Sequence, residues 1–200
     1  MFAVGHIALG YIIGKILNKA SEQNLNIPAI WLLSLLPDID LLIPGLEHRG
    51  PTHSLIVALI IFAPLFIIDA RKTAPYLAAL AIHSLIGDFI TGRGVQLLWP
   101  VSSEWMTFRS TMRLGTKFEA YVELTLFVVL IVTLILSKDF KQIFNSDREN
   151  GLLFIPLCTI VLPVMFKYPV KIPKILVIPH LILMSIIALS FIVSFAREAL

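Results

Sequence analysis

Seven apolar runs, at approximately 2–17, 27–46, 53–68, 74–91, 120–136, 151–166 and 175–196, fill most of this 200-residue chain. Charged residues make up only 14% of it and the mean hydropathy is +0.89, whereas soluble domains carry roughly 25% charged residues. The pattern therefore reads as an all-α, polytopic membrane bundle of about six to seven hydrophobic helices, a multi-pass protein of the cell membrane. No linker divides it, so 1–200 is expected to form a single membrane-embedded domain. Several runs fall short of the roughly 20 residues that cross a ~30 Å hydrocarbon core; the last is long enough and carries only His180 as an ionisable residue. The run at 27–46 is expected to be broken or re-entrant at Pro37, because proline removes a donor and disfavours helix at the residue before it. Kinks are expected at Pro64, Pro156, Pro163 and Pro179. The first run lacks a basic region and a small-residue cleavage site and is interrupted by His6 and Lys15, so it reads as a retained helix.

Ionisable groups cost several kcal/mol each in lipid and are rare there without a use. Here they gather at the ends of the runs: His6, the Pro37-Asp38-Ile39-Asp40 turn, His48 to Ser54, the His83/Asp88 pair, and Glu119. Alternating the runs across a membrane from His6 brings all five clusters to one side. Lys and Arg divide evenly between the two sides, so the positive-inside rule assigns no orientation. The net charge of +3 is read as loop positivity near anionic lipid, and direct nucleic-acid binding is not expected. Cys158 is the one cysteine, which excludes an intramolecular disulfide and thiolate zinc sites of the finger type.

Oxygen and imidazole donors gathered at one face point to a divalent metal. Asp38 and Asp40, two residues apart in an extended turn, offer hard oxygen ligands, although aspartates also favour helix ends. His48 and His53 bracket a Gly50-Pro51 turn, with Thr52 placed to N-cap the next helix and imidazole a common metal ligand. Arg49 cannot ligate, but its planar fork suits a phosphate or carboxylate. His83 and Asp88 are five apart on one predicted helix, about 140° around the axis at 3.6 residues per turn. Either a π-bulge realigns them or only one is a ligand, and Asp88 is then the firmer choice. His6 is a ligand or a neutral core histidine. Glu119 sits where the helix dipole favours a carboxylate, and the deeper Glu123 has the position of a base or proton relay. Asp69, Arg71 and Lys72 read as a solvated loop, and His180 stands apart from the clusters. The long polar stretch at 92–119 puts Arg93, Arg109, Arg113 and Lys117 beside Trp99, Trp105 and Phe108. Tryptophans mark the headgroup level, so this stretch reads as an interfacial anchor or as a lid whose cations meet an anionic headgroup.

At these residues the chain resembles the YdjM-type family of membrane-bound proteins described as metal-dependent hydrolases, also labelled LexA-binding and inner membrane-associated. The resemblance is carried by Gly5-His6, Leu36 to Asp40, His48 to Leu55, Asp88, Thr91 to Val95, Leu98 to Pro100, and Gly115 with Glu119. It spans about 1–125; the additional helices at 126–200 carry no motif. The family spaces its histidine and aspartate by four. Here the spacing is five, so Ser84 stands where the histidine belongs while Asp88 keeps its register. The family in turn distantly resembles zinc-dependent phospholipase C.

The resemblance and the donor set together imply one to three divalent ions, Zn2+ first and Mn2+ second, held by His6, Asp38, Asp40, His53, His83 and Asp88. His48, Arg49 and Glu119 would be catalytic: acid/base or ligand, phosphate holder, and base or ligand. The expected partner is membrane lipid, and the expected reaction is hydrolysis of a phosphoester or similar bond in a membrane-associated substrate by metal-activated water. Two other classes fit parts of the pattern. One is an ion or proton transporter, which would need polar groups through the full depth of the bundle; the other is a non-catalytic scaffold around a structural metal.

Overall fold

The computed structural model describes residues 1–19, 24–90, 94–108, 116–145, 149–167 and 171–198. Among these the regular structure is all helical, with no strand beyond an isolated bridge between Val95 and Met106, and 43–50 and 94–108 are turns and loop. Helix α1 (Ala3–Asn18) is the axis of the bundle and packs on α2 (Ile27–Leu35), α4 (Ala70–Ile82) and α5 (Lys117–Leu136). Small residues permit this. A Cβ added at Gly10 would stand 2.0 Å from Ser34 Oγ, so α1 and α2 cross with no room for a side chain there. Val4, Ile7, Ala8 and Tyr11 of α1 are buried against Ile30, Trp31 and Leu35 of α2 and Leu130 and Leu134 of α5 in one contiguous core.

Asn26 starts α2 by accepting the Ala29 N–H at 2.9 Å, with Pro28 in the first turn. At Leu35 the helix gives way to a 3-10 turn, Leu36–Leu42, so the second apolar run does break at Pro37. Asp38 and Asp40 therefore lie on a 3-10 turn and not on the extended one expected. At about three residues per turn, positions two apart are about 120° apart, and the two carboxylates face different partners. A second 3-10 turn, Pro51–His53, delays the next helix, α3 (Leu55–Ile68). The cap of α3 is consequently Ser54, which accepts from Val57 N–H, and not Thr52. No loop separates α3 from α4: Asp69 alone joins them and caps α4 by accepting from Lys72 N–H. Helix α4 runs on into a π turn, His83–Asp88.

Thr116 caps α5 through the Glu119 N–H. Short α6 (Phe140–Asn145), α7 (Phe154–Val161) with a π turn at Leu162–Phe166, and α8 (Lys174–Glu198) complete the chain. Among the described residues two helices are long and apolar enough to cross a membrane, Lys117–Leu136 and Lys174–Arg197, fewer than the six to seven expected. The second run is cut short by the Pro37 break, and the third and fourth meet at the tight connection of Asp69. At 1.5 Å per residue α1 and α3 reach only about 24 Å and about 21 Å.

The bundle has two polar ends. At one, Lys15 and Tyr11 of α1 both bind Asp139, just beyond α5. At the other lie the first turn of α1, the two 3-10 turns, the π turn and the start of α5. The five clusters singled out in the sequence thus meet at one end of the bundle.

Candidate metal centre

Asp40 organises the loop that carries the histidines. Its Oδ1 lies 3.0 Å from His48 Nδ1, and its Oδ2 accepts from the Arg49 backbone N–H at 3.0 Å and from Thr52 Oγ1 at 2.9 Å. The Arg49 N–H is delivered by a left-handed backbone, φ 70°, a conformation uncommon outside glycine and often found where a site requires it. His53 Nδ1 stands 3.4 Å from the same Oδ2. The other ring nitrogen of His53 is thereby aimed inward, as in a carboxylate–histidine–metal arrangement.

Four side chains meet in front of that nitrogen. His53 Nε2 is 3.3 Å from Asp38 Oδ1 and 3.5 Å from Asp88 Oδ2. His6 Nε2 is 3.4 Å from Asp38 Oδ2 and 3.8 Å from Asp88 Oδ2. Donors of a four-coordinate ion with bonds of about 2.0–2.2 Å are separated by about 3.3–3.6 Å, close to these contacts. His53 Nε2 and Asp38 Oδ1 are buried, and none of their contacts has the alignment of a hydrogen bond. Buried polar atoms are rarely left so, and an ion is one of the few explanations. Two nitrogens and two carboxylates form a donor set suited to zinc or manganese.

The π turn brings His83 into this group. Its i→i+5 bonding stacks residues five apart, and the ligand atoms of His53, His83 and Asp88 all lie within 4.8 Å of one another. The same holds for Asp38, His48 and His53. The His83 ring meets those of His6 and His53 edge-on, with centroids 4.9 and 5.6 Å apart. Ser84, at the position where the family has its histidine, only contacts His83 Nε2 at 3.3 Å.

Charge in the cluster is finely balanced. Burial opposes ionisation of Asp38, yet the imidazoles of His6 and His53 hold its carboxyl below the ordinary range. Asp40 is held at about 2: burial works against ionisation but is outweighed by hydrogen bonding to His48 and His53. Burial disfavours the charged form of His53, and the carboxylates of Asp38, Asp40 and Asp88 more than offset it, raising its pKa well above that of a free imidazole. Arg49 is buried with Nη2 2.8 Å from Asp88 Oδ1, while its Nε and Nη1 have no hydrogen-bond partner among the described residues. The Met1 amino group is 2.9 Å from the same Oδ1 and 3.6 Å from Glu119 Oε1.

Of the residues singled out in the sequence, His6, Asp38, His53, His83 and Asp88 converge. Asp40 stands behind His48 and His53 with both oxygens engaged. Glu119 is fully buried, with Oε1 3.6 Å from the Met1 amino group. Arg93, Arg109 and Arg113 of the expected lid lie outside the described residues; Trp105 is described and lines a polar cavity with Glu47, His48 and Arg49. His180 is bonded to its own helix through Leu176 O and stays apart. Sequence reasoning missed the role of Glu123, whose carboxylate accepts the Phe2 and Gly5 N–H groups at 2.9 and 3.2 Å and so caps α1. The available signal was α1 itself, which begins at Phe2 with no side-chain cap and no acid in its first turn.

No curated protein and no solved structure matches the chain. The profile of the family described as YdjM inner membrane protein matches residues 1–171, well past the motif-bearing 1–125 and through α7, and the chain belongs to that family.

Proposed function

We propose that the protein is a membrane-bound, metal-dependent hydrolase acting on a phosphoester or similar bond of a membrane-associated substrate. The observation that carries this reading is the convergence on His53 of Asp38 and Asp88 at ligand-to-ligand spacing, with His48 and His83 within the two candidate groups and His6 against both carboxylates. A bound zinc or manganese ion supplies Lewis acidity and a water of lowered pKa. The chain's own groups then have defined tasks. Asp40 fixes the rings of His48 and His53. His48, 31% exposed at the mouth with Nδ1 held by Asp40, has Nε2 left for proton transfer to a leaving group. The uncommitted donors of Arg49 suit phosphate oxygens. Glu119 belongs to the surrounding layer, where it tunes charge.

The test is the metal content of the detergent-purified full chain, followed by phosphodiesterase assays of the loaded protein. About one or more zinc per chain is expected for the wild type, with at least a tenfold loss in Asp38→Ala and His53→Ala; wild type that takes up no metal on reconstitution overturns the reading.

A closed structural metal site is the second reading, because His6, His53 and Asp88 are each about 1% exposed and structural zinc sites are closed. Folding that requires metal, without turnover of any phosphoester, would favour it. Transport has less support. Between the cluster and the Lys15–Asp139 pair, α1 buries Ile7 and Ala8, and no chain of ionisable groups joins the two ends among the described residues.

A further inference from the structure

Two cavities of different character border the same turn. One is an apolar groove of about 390 Å3 between α3 and the 3-10 turn, walled by Leu36, Pro37, Ile39, Ile61 and Leu65 and reaching Thr52. The other is a polar pocket of about 400 Å3 walled by Glu47, His48, Arg49 and Trp105. Both volumes fall within the roughly 300–1,000 Å3 of small-molecule sites.

Asp40 joins them. Its Oδ1 holds His48 on the wall of the polar pocket, and its Oδ2 holds Thr52 at the end of the groove. Pro37 and Ile39, which wall the groove, flank Asp38 of the metal cluster. The outer end of the groove lies on the face of α3 that leaves Ile60, Ile61, Leu65, Ile67 and Ile68 exposed. In a protein of an inner-membrane family that face meets lipid. At the polar end, the buried Arg49 guanidinium has two nitrogens without hydrogen-bond partners among the described residues. A buried cation with free donors calls for an anion with several acceptor oxygens. Trp105, 40% exposed, is suited to the headgroup level.

We propose that the substrate is a phosphate-bearing membrane lipid that enters sideways from the bilayer. Its hydrocarbon chain lies in the α3 groove and its phosphate lies against Arg49 and His48 under Trp105, which sets the ester bond beside the metal cluster. This assignment rests on the hydrolase reading for its catalytic meaning, but the binding it describes is measurable without turnover.

The full chain is placed in phosphatidylcholine nanodiscs containing a small fraction of phosphatidic acid with a diazirine in its acyl chain, irradiated, and mapped by mass spectrometry. Labelling is expected to concentrate on 36–39 and 57–65 and to be displaced by unlabelled phosphatidic acid but not by inorganic phosphate. Ile61→Trp, which fills the groove from its exposed side, should reduce this labelling at least fivefold. Arg49→Ala should do the same through the headgroup. Ile192→Trp, equal bulk on the outer face of α8, should leave it unchanged. Labelling spread evenly over the outer faces of α3, α5 and α8, and indifferent to Ile61→Trp, overturns the proposal. Zinc content of the same samples needs no lipid, and the labelling needs no zinc turnover, so loss of one with retention of the other tells which reading has failed.

Discussion

Asp40 and Asp38 are two residues apart, yet the fold gives them different work. Asp38 faces His6 and His53 with both oxygens, whereas Asp40 is saturated by His48, Arg49 N–H and Thr52. Removing a residue that only orients a ligand weakens metal binding by about 10- to 100-fold. Asp40→Asn is therefore expected to lower zinc affinity by about that factor in a chelator competition, while Asp38→Ala abolishes stoichiometric binding; equal loss in both would make Asp40 a direct ligand. Glu123 is a parallel case in α5. Its carboxylate satisfies two N–H groups at the start of α1, and leaving buried donors unpaired costs about 1–3 kcal/mol. Glu123→Ala should lower the melting temperature and weaken zinc binding through a displaced His6, and Glu123→Gln, which keeps an acceptor, should recover most of both. The candidate ligands were legible in the sequence, because imidazoles and carboxylates at the ends of apolar runs have few other reasons to be there. The division between Asp38 and Asp40 was not, since it depends on the 3-10 phase of the turn. Nor was the Glu123 cap, whose partners lie more than a hundred residues earlier in the chain.

The π turn shows how an element can restore a spacing that the sequence places out of phase. In an α-helix the five-residue interval would turn His83 and Asp88 to different faces, but six residues wound as His83–Asp88 bring them together. A single-residue change in the interval then has opposite effects according to its sign. Deleting Ile86, whose side chain is exposed, leaves an interval of four that an ordinary α-helix keeps on one face. Its zinc stoichiometry, and the absorption spectrum of its cobalt form, should match the wild type. Inserting an alanine between Leu85 and Ile86 makes the interval six; the cobalt spectrum should change, and affinity should fall as either His83 or Asp88 swings out of reach. Unchanged spectra for both would mean that His83 takes no part. At this scale the continuous apolar runs were legible, and the run at 2–17 corresponds closely to α1. Short 3-10 and π turns carry no such period, which is why Thr52 was expected to cap α3 when the turn at Pro51–His53 diverts its hydroxyl to Asp40.

An apolar run reads the same whether its faces meet lipid or other helices, and the whole molecule separates the two cases. Helix α1 is as apolar as its neighbours but is enclosed by them, with Val4, Ile7, Ala8 and Tyr11 fully buried. In α3, α5 and α8 large apolar side chains face outward, among them Ile60, Ile67, Val132, Leu136, Ile178 and Phe195. The gathering of the clusters at one end of the bundle was legible because each of the first five runs carries its own ionisable group near one end; the number of spans was not, because run length does not reveal where a helix stops. Helix α1, about 24 Å long and packed against the longer α5, suits a bilayer that thins locally around it, a mismatch that lipid tolerates at modest cost. If α3 and α4 cross the bilayer, the Asp69 turn and the site end of the bundle stand at opposite membrane faces. In a Cys158→Ser background, Lys72→Cys beside that turn and Glu104→Cys on the 94–108 stretch, which meets the site through the Gln96 N–H and Arg49 O, both exposed, should react with a membrane-impermeant maleimide from opposite sides. One would be labelled in intact spheroplasts and the other only after lysis. Labelling of both from the same side would place α3 and α4 within one leaflet, leaving α5 and α8 as the candidates to cross and the metal cluster at the surface where the chain enters and leaves.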